Sequence, residues 1–440
     1  MRHPVRVRSR RRFGAAVLVL ACVGVPSFIV GQPVFDLEVR GKGFRRVGIQ
    51  IESPSFLENT VTPPNLVREA RDTLGRDLIY SGFFFVLDAT GDPMTPWGVP
   101  RDWIVAVDPS SRAPYRVESV WRSDGSASSV DMRLVDGAGA QILGKRYAVR
   151  DPGGVRPAMH HFADQIVRQL TGLPGTAQTK IAFARLAGKS SSIVTVDYDG
   201  LDERTVTTQQ TLSLSPCWGT GRSWLAFTSF VDGQPHLFRL DQGSKRLRPI
   251  SQRQGLNTAP DWSEKRQAFA LMLTTDGNAE IYRTDAEGKN PKRLTHHPAI
   301  DTSPSWSPNG DQIAFTSDRT GVPQIHVMDA DGGHVRRITR HNQYSDSPAW
   351  SPDGRWIAYV CRREGSLQLV VIAPDGTDER IVVRAGSSDS PAWANDSRHL
   401  AFSSRRGGTR AVYVVDLYTG LERRLSAGSQ EAVTPSWSSE

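Results

Sequence analysis

A Pro-x-Trp triplet recurs six times in the second half of the chain, and its spacing constrains the fold more than any other feature. It stands at Pro216/Trp218, Pro260/Trp262, Pro304/Trp306, Pro348/Trp350, Pro391/Trp393 and Pro435/Trp437, at intervals of 44, 44, 44, 43 and 44 residues. Six of the eleven tryptophans occupy this one position, so a repeat places them. An apolar strand begins seven residues after each of the first five, at Leu225, Phe269, Ile313, Ile357 and Leu400. An alternating strand with an acidic turn follows, clearest at residues 325–329 before Asp331-Gly332 and at 412–416. A short fourth strand, such as 336–339, closes the unit. A period near 44 with four short strands per unit predicts a β-propeller. One blade cannot bury both its faces, but blades stacked around an axis bury one another. The tryptophan then reads as a wedge between blades. Asp-Gly and Asn-Gly pairs supply the φ > 0 residues that tight hairpins need. The Trp-Ser-Pro-Asn/Asp-Gly turn is complete after Trp306 and Trp350, and degraded after Trp262 and Trp393.

The two ends of the repeat decide the blade count. The first copy begins at Lys180-Ile181-Ala182-Phe183 with no Pro-x-Trp strand before it. The last copy is only Pro435-Ser436-Trp437. The fragments complement each other, which predicts six blades over 176–440, closed by the C-terminal strand.

Residues 45–175 predict a smaller α/β domain with a mixed sheet and two helices. Strands are expected at 46–51, 83–88, 103–107, 115–122, 129–135 and 142–149. Leu66, Val67, Ala70, Leu74, Leu78 and Ile79 have helical spacing within 64–82, and a second amphipathic helix is expected over 156–170. Residues 32–44 form a short stretch before it, carrying a Phe35/Leu37/Val39 stripe flanked by glycines.

Residues 1–31 read as a secretory signal peptide. A basic segment with Arg2, Arg6, Arg8, Arg10, Arg11 and Arg12 precedes an apolar run at 13–25, and Pro26-Ser27 breaks it. Cleavage is placed after Ser27 or Gly31. Ser9 to Phe13 resembles the start of a twin-arginine signal, so the export route stays open. Residues 19–22 resemble a lipobox ending at Cys22, with a poor fit at Leu20. The net charge of the whole chain is +8, and no acidic residue precedes Asp36. Without the first 31 residues the excess falls to +2, so bulk charge does not argue for nucleic acid. Three cysteines exclude a disulfide framework, and Cys217 and Cys361 are expected as free, buried thiols. The sequence has no 18-residue apolar run, which excludes a polytopic membrane protein.

Catalytic signatures are lacking. There is no Gly-x-Ser-x-Gly, His-Glu-x-x-His, Walker or dinucleotide-binding motif. His160-His161 has no carboxylate beside it in sequence and reads as a surface or packing pair. His296-His297 precedes a Trp strand, where a metal or partner contact is the alternative to a plain loop. Asp329 to Gly332 resembles the start of a calcium loop but reads as a hairpin turn. No catalytic, cofactor-binding or metal-binding residue is therefore predicted. One pattern stands out: polar residues recur just before the Pro-x-Trp strands, at Asn257-Thr258, Asp301-Thr302-Ser303, 345–347 and 388–390. In a propeller these residues surround one mouth of the channel, where they suit protein docking or simply cap strands.

With this layout the chain resembles the TolB family, periplasmic components of the Tol-Pal system. The resemblance rests on Asp77-Leu78-Ile79-Tyr80-Ser81-Gly82 with Phe83 to Asp88, on Phe162 to Gly172 followed by Lys180-Ile181-Ala182-Phe183, and on the terminal Pro-x-Trp. It covers 32–440, departing at Trp262 to Arg266 and in the Arg-rich signal. It implies a non-enzymatic, monomeric periplasmic protein without direct membrane insertion, serving outer-membrane integrity and invagination at division. It implies Pal lipoprotein binding at Asn257, Thr258, Ala259, Asp301, Thr302, Ser303, Asp346, Ser347, Asp389 and Ser390. It implies TolA binding through Val34, Phe35, Asp36, Leu37, Glu38 and Val39, whose alternation suits strand addition. The alternatives are a stand-alone cell-wall- or carbohydrate-binding propeller, which calls for aromatics at the mouth beyond Tyr344, and a peptidase propeller. The latter needs a converging catalytic trio and a hydrolase domain after the repeats, where the sequence reaches Glu440.

Overall fold

The computed structural model describes residues 46–439 apart from 58–62, 102–103, 105–112, 124–127, 150–151, 208–210 and 341. The signal peptide, the stretch 32–44 and nearly all of the strand expected at 103–107 lie outside the described residues.

The N-terminal region is a mixed sheet with two helices. Its strands are β1 (Val47–Ile51), β2 (Ser55–Phe56), β3 (Phe84–Leu87), β4 (Tyr115–Ser123), β5 (Ser128–Asp136) and β6 (Gln141–Val149). They are ordered β3-β1-β4-β5-β6, with β2 also on β4. β1 runs parallel to β3 and β4, while β4, β5 and β6 form an antiparallel meander. Alternation sets the two faces. Tyr115, Val117, Trp121, Val130, Met132 and Leu134 are buried and belong to one core with Leu66, Leu74, Leu78, Phe162 and Ile166 of the helices. Arg116, Arg122, Arg133 and Arg146 lie at the alternate, more exposed positions.

The first helix, α1, spans Pro64–Tyr80 and begins on a proline, whose missing N–H costs nothing in the first turn. The second, α2, spans Pro152–Thr171 and starts one turn before the expected residue 156. Pro157 looks like a helix start in sequence. Sitting early in α2, it removes one hydrogen bond near the end without breaking the helix.

Residues 180–437 form six four-stranded sheets. Blade 1 combines Lys180–Ala187, Ser190–Asp197 and Arg204–Thr205 with the C-terminal strand Ala432–Trp437. Blades 2 to 6 begin at their inner strands Ser213–Trp218, Asn257–Ser263, Asp301–Trp306, Ser345–Trp350 and Ser387–Trp393. The expected closure is observed. Ala432 pairs with Arg185 and Trp437 with Ile181, while Trp437 Nε1 donates to Thr179 Oγ1 at 2.8 Å. Two of the tryptophans bridge blades by hydrogen bonds: Trp218 Nε1 donates to the Ser436 carbonyl at 3.1 Å and Trp393 Nε1 to that of Ala349 at 2.9 Å. Where the turn motif is degraded, Ser397 adopts φ of 55° at the glycine's position, and Gln267, one residue past it, adopts 48°. Cys217 and Cys361 are free and buried.

Candidate functional site

Each inner strand runs along the central channel from one mouth to the other, and each carries a bulge at the same place. Ser215, Ala259, Ser303, Ser347, Ser390 and Thr434 all have φ between 50° and 56°. The pairing shows why: Thr302 opposes Thr316 and Ser305 opposes Ala314, so one extra residue is accommodated between them. A positive φ in a residue with a side chain costs of order 1–3 kcal/mol, and all six are small. With the prolines that follow they line a channel of about 680 Å³. Neighbouring inner strands are tied across this wall. The Trp306 N–H donates to the Asp261 carboxylate at 2.6 Å, and the Trp350 N–H to Ser305 Oγ at 3.0 Å. Enclosure in the wall pushes the Asp261 carboxyl up to about 7.

The two mouths differ. The N-terminal region closes one side of the Trp end, docking on blades 1, 2 and 6. Arg222 in blade 2 donates to the Gln178 carbonyl at 2.6 Å. In blade 6, Asn395 reaches Gly175 O at 3.2 Å and Arg398 reaches Gly82 O at 3.0 Å. Gly82 has φ 75°, and a Cβ there would lie 2.3 Å from Asp416 Oδ2, so only glycine fits this junction. Arg398 also pairs with Asp416 at 2.7 Å and lies over the Phe83 ring.

Beside it sits a buried charge network. Asp77 at the end of α1 accepts from Tyr198 OH at 2.6 Å and lies 2.7 Å from His160 Nδ1 on α2. Asp199 lies 3.0 Å from Arg76 and 3.1 Å from Arg156, and Arg156 also reaches Asp197 at 3.3 Å. His160 therefore fills a buried packing role, with a carboxylate partner that does not lie beside it in sequence. The partner of His160 is 83 residues away in sequence, and the neighbouring His161 meets Tyr147 OH at 2.7 Å. Asp77, His160 and Asp199 each bring a ligand atom within 4.8 Å of the others, a spacing compatible with a metal. Their carboxylates already receive arginine and tyrosine donors, so the set acts as a charge network joining two domains. Burial disfavours the imidazolium, but the Asp77 carboxylate outweighs it and the His160 pKa is raised. Burial likewise opposes the Asp199 charge, yet Arg156 and Arg76 hold its pKa below the usual range. Nearby, Asp164 of α2 accepts the Ala177 and Gln178 N–H groups at 2.8 and 3.0 Å, and burial pushes its carboxyl up to about 7.

The opposite mouth carries the residues singled out in the sequence, and the structure sorts them. They begin the inner strands and are not loop residues. Asn257 and Asp301 are fully buried, which corrects any expectation that they face solvent. Asn257 braces its rim through Ser251, Arg253 and Gly255, and Asp301 pairs with Arg319 at 2.8 Å. Ala259, Ser303, Ser347 and Ser390 are the bulge residues lining the channel. Thr258, Thr302, Asp346 and Asp389 are half-buried at the mouth. Asp346 accepts from Thr316 Oγ1 and Tyr344 OH, both at 2.8 Å. Burial, with Asp346 adding repulsion, raises the pKa of Asp389. His297 serves its own loop, accepting the Ala299 N–H at 3.1 Å, and His296 is exposed. Asp329 to Gly332 is the expected hairpin turn, with the Gly332 N–H on the Asp329 carbonyl at 2.9 Å. Val34, Phe35, Asp36, Leu37, Glu38 and Val39 lie outside the described residues.

Sequence reading missed the network at the closed end. Its only signal was the quoted Asp77 to Gly82 pattern, whose two ends both prove to touch the propeller.

Comparison with known proteins agrees with this geometry. A sequence model described as the TolB beta propeller domain matches residues 167–440. The Tol-Pal system protein TolB of Geobacter metallireducens is 35% identical over 207 residues, 47% of each chain. That of Geobacter sulfurreducens is 34% identical over 208 residues, again 47% of each. The chain thus spans about half the length of the curated relatives it matches. The crystal structure of TolB from Acinetobacter baumannii superposes with a TM-score of 0.75 at 24% identity, covering 89% of this chain and 96% of that one. This likeness extends the shared fold into the N-terminal α/β region. With more than half its residues matched by the family's own domain, the chain belongs to the TolB β-propeller family.

Proposed function

We propose that this protein is a non-catalytic periplasmic docking component of the Tol-Pal system, binding Pal at the open propeller mouth and TolA through residues 34–39. On this reading it acts as a monomer, without nucleic acid or membrane insertion, in outer-membrane integrity and invagination during division. Among the described residues, no helix is long and apolar enough to cross a membrane. The observation that carries the reading is the asymmetry of the two mouths. One is engaged by the α/β region on blades 1, 2 and 6, in part through buried charges, while the other presents half-buried Thr258, Thr302, Asp346 and Asp389 at its rim. A surface of half-buried polar groups on a rigid scaffold suits protein recognition.

A photo-crosslinker tests the site. Placed at Thr302 it should trap the periplasmic domain of Pal, and placed at Asn309, at the other end of blade 4, it should not. Trapping from Asn309 alone moves the docking surface to the closed end. Removing residues 32–43 should abolish TolA binding while Pal binding stays measurable. Equal TolA affinity for the truncated and full-length forms rejects the N-terminal assignment.

A further inference from the structure

We propose that the open mouth is polarised and holds its partner in one rotational register of the six that a symmetric ring allows. An apolar arc over blades 2 to 5 receives an apolar ridge of the partner, and the Asp346–Asp389 side receives a basic side chain. This deepens the Pal-docking reading and rests on it.

The arc is found by comparing one position in all blades, the residue just before each buried rim residue. It is Leu212, Leu256, Ile300, Tyr344, Ser387 and Glu431 in blades 2, 3, 4, 5, 6 and 1. Their backbones are equivalent. The carbonyls of Leu212, Leu256, Ile300, Tyr344 and Glu431 each accept an N–H from the second strand of their blade, at 2.8 to 3.4 Å, and Ser387 pairs with Arg405 there. The side chains are not equivalent. Leu256 and Ile300 are 41% and 52% exposed, among the few large apolar side chains so open to solvent. Leu212 and Tyr344 flank them, half-buried. In blades 6 and 1 the position turns polar, and Glu431 pairs with Arg405 at 2.8 Å. Packing within the protein does not call for exposed leucine and isoleucine on consecutive blades, and contiguous exposed apolar groups mark interaction surfaces.

The charges complete the asymmetry. Among the six inner strands only those of blades 5 and 6 place a carboxylate, Asp346 and Asp389, at the mouth position held elsewhere by half-buried Leu214, Thr258 and Thr302 and by buried Val433. Asp346 is answered by the neutral donors Thr316, Tyr344 and the Ser347 N–H. The cation acting on Asp389 is Arg410, while Arg362 lies 5.4 Å from the centre of the Tyr344 ring. The two carboxylates repel each other, and a basic side chain from a partner would relieve that repulsion. Charge complementarity of this kind fixes register more than it adds affinity.

The test is a calorimetric titration with the periplasmic domain of Pal against the full-length protein and three double variants. Leu256→Ser with Ile300→Ser should weaken binding about tenfold or more and leave its salt dependence unchanged. Asp346→Asn with Asp389→Asn should weaken it mainly at low salt and flatten the salt dependence. Ser387→Ala with Glu431→Ala, on the remaining arc, should stay within about threefold of wild type. The six substituted positions lie at the rim, so all three variants should melt close to the wild type. Wild-type binding with equal losses at every arc, or no loss in the apolar variant, overturns the register while leaving Pal docking intact. No binding of Pal to the wild type overturns both.

Discussion

The two ends of the propeller come from the same six repeats, yet they satisfy their charges in opposite ways. At the closed end Asp77, Asp199 and Asp416 are buried, and each meets an arginine or a histidine. At the open end Asp346 and Asp389 are half-buried, and hydroxyl groups, one arginine and each other are their main company. A buried carboxylate without a partner is costly, so these three meet cations, while Asp164 at the same junction accepts backbone N–H groups and has its pKa pushed up to about 7. The open end tolerates incomplete compensation because water reaches it, and a partner can supply what is missing.

The comparison presupposes a closed ring, so the largest expected effect comes from opening it. Deleting residues 432–440 removes the inner strand of blade 1 and the Trp437 wedge. Losing one buried tryptophan typically costs roughly 3–5 kcal/mol, and here the pairing with Lys180–Ala187 goes too. Thermal unfolding should shift by many degrees or lose its cooperativity. A truncated protein that melts with the intact one would refute closure by this strand.

The next effect separates the ends directly. Asp77→Ala leaves His160 and the Tyr198 hydroxyl without their acceptor in the interior, and should cost about 3 kcal/mol. Asp389→Ala should cost less than about 1 kcal/mol, because its carboxylate already sits in an unfavourable place. Asp301 is the exception at the open end. It is buried and paired with Arg319, so Asp301→Ala should follow Asp77→Ala on a smaller scale, about 2 kcal/mol. Denaturant titrations of the three variants rank them. Equal losses for Asp77 and Asp389 would dissolve the contrast.

The unequal legibility of the two ends has a physical cause. Blade number, closure and the inner strands were readable because each repeat solves the same local problem, and the solution returns every 44 residues. Even so, the bulge at Ser303 and its equivalents was not seen, since a small residue before proline carries no distinctive signal. The mouth residues were found as polar recurrences, but composition cannot tell the buried Asp301 from its half-exposed neighbour Thr302. The closed end was nearly invisible. His160, Asp77 and Tyr198 come from three separate elements, and only the domain contact brings them together. Such a contact has no period to betray it.

A proton-linked effect arises at the domain junction, and Asp261 in the channel wall adds one of the same sign. The folded protein holds a proton on Asp164 up to a pH of about 7, while an unfolded aspartate releases it near 3.9. Its contribution is therefore complete below about pH 4 and is lost as pH rises through about 7, at roughly 1 kcal/mol per pH unit. His160, with its pKa raised, adds a loss of the same sign above about pH 6.5. The protein should melt higher at pH 5 than at pH 7.5. Asp164→Asn, which keeps one acceptor for the Ala177 N–H, should flatten that difference. An unchanged slope in the variant would show that Asp164 is charged in the folded state.

The smallest expected change in stability, and the sharpest contrast with Asp301, lies at Thr302. Asp301 points into the interior and braces Arg319, while Thr302 is half-buried at the mouth. Thr302→Arg puts a long side chain where solvent has room for it, so the folding free energy should move by no more than about 0.5 kcal/mol. The same residue should crowd a protein seated on the mouth and place a positive charge beside the apolar arc. A central interface position disrupted in this way typically costs 2 kcal/mol or more in binding, roughly thirtyfold. The two measurements together are what matter. Lost Pal affinity at an unchanged melting temperature marks Thr302 as contact surface, one residue from a position where any change is felt as stability. A variant that melts early and binds weakly would place Thr302 with Asp301 among the bracing residues, and the open mouth would then be more like the closed one than its charges suggest.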